Sequence, residues 1–269
     1  MLELYHGSSS VCSAKVRVGL VEKGLNWKSH SIALPKGEQF SEAYLAINPN
    51  GVLPTLIHDG FKVFESSLIL EYIDALSSQN VLMPQDPKQQ MNAKLWLLRC
   101  IDIHSAINTM TFSSVGRANI LANKTADEIA ASIAKMPNPK ARAKRADLME
   151  NGIHSNHVAS DFYVLKNMFQ DMNALLEKHK WLGGATYSIT DAAIIAYVDR
   201  LERLGMSGLW QTHFPNVGEW LKASQQRPSY EEAINAYTPE LAAKQMREKG
   251  ADFWPELEKS WHDFLKMPA

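Results

Sequence analysis

Two domains of different architecture are predicted: a small α/β domain over residues 1–78 and an all-helical domain over residues 91–269, joined by a linker at 79–90. Three observations carry this reading. Strand and helix signals alternate in the first domain, in the order βαβ and then ββα. The stretch "SSQNVLMPQDPKQQ" is polar, has no period and contains Pro84 and Pro87, as a linker would. The sequence beyond it repeats its apolar residues at helical spacing.

The elements follow in order. "LELY" alternates and is followed by Gly7, so Leu2 to Tyr5 reads as a strand. Apolar residues then recur at Val11, Ala14, Val18 and Val21, a helical period, and Gly24 is placed to end that helix in a left-handed conformation. "WKSHSIAL" is a second strand, which makes a βαβ unit with parallel pairing. After a short helical stretch at "SEAYLA", the strands "TLIH" and "FKVF" are joined by Asp59-Gly60, the strongest short hairpin signal. "SSLILEYIDAL" closes the domain as an apolar-faced helix. In the second domain the long helices are 91–117, "DFYVLKNMFQDMNALLEKHKWLGG" and "TDAAIIAYVDRLERLG", with Gly183 and Gly205 where C-terminal caps would sit. The aromatic tail from residue 251 is expected to pack back on the body.

Composition narrows the function. The 269 residues are 45% hydrophobic with a formal net charge of −1, which gives no electrostatic case for nucleic acid or an anionic membrane. "PKARAKR" lacks interleaved aromatics and reads as a solvated helix face. No apolar run reaches spanning length and the start lacks the blocks of a secretory signal, so a cytoplasmic protein is expected. Cys12 and Cys100 make no disulfide framework, and Asn123-Lys124-Thr125 carries no meaning as a glycosylation acceptor in a reducing compartment. His154 and His157 have no third ligand at a metal spacing, so no metal is expected.

The unusual feature is the turn "SSSVCSAKVR". A strand-to-helix connection needs one capping oxygen, and this one offers Ser8, Ser9, Ser10, Cys12 and Ser13. Surplus turn serines would explain it, and so would a binding site at the helix start. Pro54, directly before "TLIH", is either a plain strand-entry residue or the cis partner of Leu53, which would turn the Leu53 backbone toward an extended ligand. Glu65-Ser66 either caps the next helix or uses that N-terminus to hold a ligand carboxylate, with Glu65 on an ammonium. "SITD", Ser188 to Asp191, is a capping box with a structural role.

In this order, the serine-rich turn, "NPNGVLPTL", "ESS", the linker and the helical half resemble the cytosolic glutathione transferase superfamily over nearly the whole chain. "SSSVCSAKVRVGLVEKG" is most similar to the zeta class and related bacterial transferases. The insert "MPNPKARAKRADLMENG" resembles members that include β-aryl etherases. The resemblance implies a thioredoxin-like first domain with glutathione as cosubstrate. Leu53, next to Pro54, would pair through its backbone with the cysteinyl part, and Glu65 and Ser66 would hold the γ-glutamyl end. Ser10 would contact the sulfur, with Cys12 and Ser13 as alternates. Val52 departs from the pattern, because relatives often place Gln or Lys there for the glycyl carboxylate. The family also commonly draws on an acidic residue from the first long helix of the partner subunit to bind glutathione, and Asp102 is the candidate for it in a homodimer.

The physical chemistry of the turn agrees. A free thiol titrates near pKa ~8.5, and lowering that by about two units requires ~2.7 kcal/mol. A helix N-terminus supplies about 0.3–1 kcal/mol, and one hydrogen bond to a charged acceptor about 1.5–3 kcal/mol. A serine hydroxyl supplies that bond without competing as a nucleophile; Cys12 would instead open thiol exchange. The second substrate is expected beside the helix 91–117, near His104, Met110 and Phe112, with the insert and aromatic tail closing over it. The expected function is transfer of glutathione to an electrophilic, aromatic small molecule. The alternatives are aryl-ether cleavage, zeta-like isomerisation, and a non-catalytic binding or scaffold protein of the same fold.

Overall fold

The computed structural model describes residues 1–267. Strand β1 (Leu2–His6) is central. It pairs in parallel with β2 (Trp27–Ser31) and antiparallel with β3 (Thr55–His58), which forms a hairpin with β4 (Phe61–Val63), giving the order β2-β1-β3-β4. Leu4 faces Ser29 on one side and Leu56 on the other. The hairpin turn has both Asp59 (φ 47°) and Gly60 (φ 86°) in the left-handed region, the twist that a two-residue turn requires.

Helix α1 (Val11–Glu22) makes the parallel crossover and ends before Gly24 at φ 64°. The short α2 (Glu42–Leu45) precedes β3, and α3 (Ser66–Ala75) follows β4. Gly19 marks the packing of α1 on α3: a Cβ there would meet Leu70 Cδ2 at 2.3 Å. The sheet order, with helices on the first domain and a helical remainder, is a thioredoxin-like domain followed by an all-α domain.

The helical domain begins with α4 (Pro87–Ser113), earlier than the sequence suggested, because Asp86 caps it by accepting from the N–H groups of Lys88 and Gln89, and Pro87 suits the first turn. The expected helix 91–117 is broken at Ser114 (φ −124°, ψ −116°), where α5 (Val115–Asn123) starts. Two helices follow, α6 (Ala126–Ala134) with a Thr125/Glu128 capping box and, within the insert, α7 (Pro139–Asn151) capped by Asn138. Then come α8 (Asn156–Leu176) and α9 (Ile189–Arg203), with Gly205 at φ 72° beyond α9. Helix α8 stops well before Gly183, so that glycine is no helix cap. It leaves room for the Ser188 cap, whose Oγ would lie 2.2 Å from an added Cβ. The chain finishes with α10 (Gly208–Gln211), α11 (Pro215–Gln225), α12 (Pro228–Ala233), α13 (Glu240–Ala251) and α14 (Trp254–Lys266). The tail packs back: Trp261 is fully buried and meets Phe162 of α8 edge-on at 5.2 Å between ring centroids.

The "SITD" box is formed as expected, and Asp191 does more than cap. Its buried carboxylate accepts from the N–H groups of Leu182 and Ser188, from Ser188 Oγ and from Trp220 Nε1. The two domains share one core, because α1 lies between α3 and α9. Glu22 at the end of α1 receives Arg227 Nε and Nη2, each at 2.7 Å.

Candidate functional site

The site grows from two helix starts. Ser10 is the N-cap of α1: its Oγ accepts from the Ser13 N–H at 3.2 Å, which leaves the hydroxyl proton available to a ligand. Ser13 is fully buried and its Oγ accepts from the Gly7 N–H at 3.3 Å, so it faces inward. Helix α3 starts differently. Glu65 stands at its head with φ 63°, a conformation costly for a residue with a side chain, and makes no side-chain cap. The first-turn N–H groups of α3 are thus left without the oxygen that α1 receives. Ser66 opens the helix and is 9% exposed.

The Leu53-Pro54 peptide is cis. Beside it, Tyr44 Oη and Asn48 Nδ2 both donate to the Val52 carbonyl, at 2.7 and 3.0 Å, and fix the loop. The Val52 side chain is exposed and apolar and offers no polar group.

Cys12, in the first turn of α1, meets the helical domain. Its Sγ lies 3.3 Å from His104 Nδ1 and 3.9 Å from Tyr197 Oη. Behind the ring, Asn108 Nδ2 is 3.0 Å from His104 Nε2. Burial opposes ionisation of the thiol, but the charge and hydrogen bond of His104, then Lys15 and the Ser66 hydroxyl, outweigh it and bring Cys12 down to about 7. Burial likewise works against a charged His104, and the Cys12 thiolate reverses this to raise it above the ordinary histidine value. The arrangement is an activated thiol paired with an imidazole across the domain boundary. Lys15, fully buried, donates to Ser67 Oγ at 2.7 Å, and Ser67 donates to the Leu97 carbonyl at 2.9 Å. Sequence reasoning placed His104 near a substrate but did not pair it with Cys12, 92 residues away. Nothing local in the sequence signals that contact.

The remaining expected residues fall in three places. His104 and Phe112 lie in a half-buried row on α4 with Asn108, which sequence reasoning missed, between them at i, i+4 spacing, and Arg145 of the insert stacks on Phe112 at 3.3 Å from the ring centroid. Met110 is fully buried in the core. Asp102 is exposed on another face of α4, within an apolar stripe of Met91, Leu95, Leu98 and Ile101.

Known proteins resemble this chain in sequence and in fold. Residues 9–76 match the family model described as glutathione S-transferase, N-terminal domain. The chain is 28% identical over 261 residues to Protein LigF of a Sphingobium species, covering 93% of this chain and 99% of that protein. It is 27% identical over 241 residues to maleylacetoacetate isomerase of Dictyostelium discoideum, covering 88% and 94%. The crystal structure of the β-etherase LigF superposes with a TM-score of 0.78 at 26% identity, covering 87% of this chain and 99% of that one. Residues 9–76 thus match the glutathione S-transferase N-terminal domain, and the chain as a whole is similar in sequence and fold to members of that superfamily.

Proposed function

We propose that the protein catalyses attack of the glutathione thiolate on an electrophilic, aromatic small molecule. The observation that carries this is the contrast between neighbouring helix starts: α1 is capped by Ser10, while α3 opens at Glu65-Ser66 with no side-chain cap. An uncapped N-terminus is a ready place for a carboxylate. In this reading the γ-glutamyl carboxylate takes the Ser66 hydroxyl and the first N–H groups of α3, Glu65 meets the ammonium, and the Leu53 backbone pairs with the cysteinyl part. The sulfur then arrives at the start of α1, where the Ser10 hydroxyl donates to it and holds it as thiolate. Val52 gives the glycyl carboxylate no help, so that end relies on other groups.

The electrophile would lie along His104, Asn108 and Phe112, under Arg145. Displacement of a halide, or of an aryloxide from an ether carbon, uses the same thiolate attack, and similarity to a β-etherase supports the second outcome as a version of the first. Isomerisation would need the thiolate to add and leave again. The exposed apolar stripe on α4 supports a homodimer in which Asp102 faces the partner.

A second reading rests on the Cys12–His104 pair. The Cys12 thiolate would attack glutathione disulfide, forming a Cys12–glutathione disulfide and releasing one glutathione thiolate; one S–S bond forms and one breaks.

The test is conversion of a chlorodinitrobenzene with millimolar glutathione. Release of chloride with formation of the thioether is expected. Binding of glutathione without turnover of any electrophile in a panel would make the protein a non-catalytic member of the family.

A further inference from the structure

Behind the serine turn lies a small, partly enclosed cavity of about 40 Å³, lined by Ser8 to Ser10 on one side and by α9 and α13 on the other. Its charges do not balance. Arg17, Arg200 and Arg203 face it with Asp199 as the one carboxylate in the lining, a surplus of two positive charges. Asp199 is already committed: its Oδ2 accepts from Arg203 Nε at 2.8 Å and its Oδ1 from Tyr230 at 2.5 Å. Arg203 is held further by Tyr230 and Asn235.

Arg17 is 1% exposed and forms no ion pair among the described residues. Its contacts are the carbonyls of Ala233, Gly7 and Ser8, the ring of His6, and the face of Tyr237 at 3.8 Å. His6 contributes no charge near neutrality, because burial and then Arg17 push it down to about 4. Arg200 is half-buried and donates from Nη2 to the Ser9 carbonyl at 2.7 Å, and no other hydrogen bond of its guanidinium is formed among the described residues. A guanidinium has five N–H donors, so most of those on Arg200 are free to meet solvent or a ligand in the cavity. The buried charge here is that of Arg17; buried charges are ordinarily paired, and one without a carboxylate partner is expensive.

We infer that this cavity is an anion subsite for the second substrate, in which Arg200 binds a carboxylate or phenolate oxygen and Arg17 supplies the field. This rests on the proposed function and deepens it: the electrophile carries an anionic group. The volume fits the assignment. One water needs about 10–15 Å³ on this measure, so the space takes a carboxylate head group and not an aromatic ring. The ring therefore stays outside, on the Ser10 side, where the sulfur is delivered. A planar guanidinium is also the natural partner for a carboxylate.

The test separates the subsite from the reaction. Benzoate and its neutral isostere benzamide are titrated calorimetrically into the full chain, without glutathione and at low salt. Benzoate is expected to bind at least tenfold more tightly than benzamide, and Arg200→Gln should abolish that preference while Arg200→Lys keeps part of it. Equal binding of the two probes by the unaltered protein, or an unchanged preference in a folded Arg200→Gln variant, overturns the subsite. In parallel, a chlorodinitrobenzene is compared with the same ring bearing a carboxylate. The carboxylate form should have the higher kcat/KM by about tenfold, a ratio that falls toward one in Arg200→Gln. Turnover of the neutral ring with no preference for benzoate removes the subsite and leaves the proposed function; preference for benzoate without glutathione binding does the reverse.

Discussion

Cys12 Sγ and His104 Nδ1 lie 3.3 Å apart, joining the first helix of the thioredoxin-like domain to the long first helix of the all-α domain. The contact ties thiol chemistry to the relative placement of the two domains. It also sets a pH dependence whose sign is fixed. Burial favours the neutral thiol, His104 overrides it, and Cys12 titrates at about 7 in place of 9.0. The thiolate therefore accumulates as pH rises through 7. Cys12 is lowered and His104 is raised by the same contact, so the pair stabilises the fold in a window: the thiolate's share is lost as pH falls through about 7, and the imidazolium's share is lost as pH rises through the raised His104 value. Ultraviolet thiolate absorbance of a Cys100→Ser variant should show a midpoint near 7, and His104→Gln should move it upward by at least about one unit. An unchanged midpoint in His104→Gln would remove His104 as the cause.

The sulfur contact is tested by substitution at the same turn. Ser10→Ala should raise the pKa of bound glutathione by at least about one unit and slow conjugation roughly tenfold, each unit being worth ~1.36 kcal/mol. Cys12→Ala should leave conjugation within about threefold. If only Cys12→Ala abolishes activity, thiol exchange is the chemistry and the serine role is wrong.

A dimer is expected from the face of α4. Met91, Leu95, Leu98 and Ile101 are each more than half exposed and fall on one side of the helix. Leu68 of α3 extends the patch, next to the Ser67–Leu97 contact. Such a continuous apolar surface fits a second copy in a symmetric interface. Light scattering at micromolar concentration should give twice 30.2 kDa, and Leu95→Lys combined with Leu98→Lys should shift it toward the single-chain mass. A monomer from the unaltered chain would contradict this.

The hub at Asp191 makes a stability prediction. Removing its carboxylate leaves the N–H groups of Leu182, Gly183 and Ser188, Ser188 Oγ and Trp220 Nε1 without their acceptor. At ~1–3 kcal/mol for an unsatisfied buried group, Asp191→Ala should cost at least about 3 kcal/mol in urea unfolding. A loss below about 1 kcal/mol would mean that water replaces the carboxylate.

Much of this architecture was legible in the sequence because its signals are local. Strand alternation at "LELY", the turn Asp59-Gly60 and the box at Ser188 to Asp191 each lie within a few residues, and each appears in place. The two glycines at presumed helix ends part company for a local reason. Gly205 has the left-handed backbone of a terminus, whereas Gly183 serves the close approach of Ser188. For the candidate site, the sequence offers residues by position but not the contacts that set their chemistry. Ser10 and Cys12 stand together in the sequence, but which of them meets His104 depends on how α1 lies against α4. The cavity of Arg17 and Arg200 depends on α9 lying behind the serine turn, and a lone arginine in a helix reads as surface. Breaks such as Ser114 follow from packing, with no proline or glycine at that position to announce them.

The central claim is that the starts of α1 and α3 together bind glutathione, and calorimetric titration of reduced glutathione into the unaltered protein tests it most directly. Saturable heat with a sub-millimolar Kd is expected, weakened at least about tenfold, or ~1.4 kcal/mol, by Ser66→Ala. No saturable heat from the unaltered, folded protein at millimolar glutathione would contradict the account.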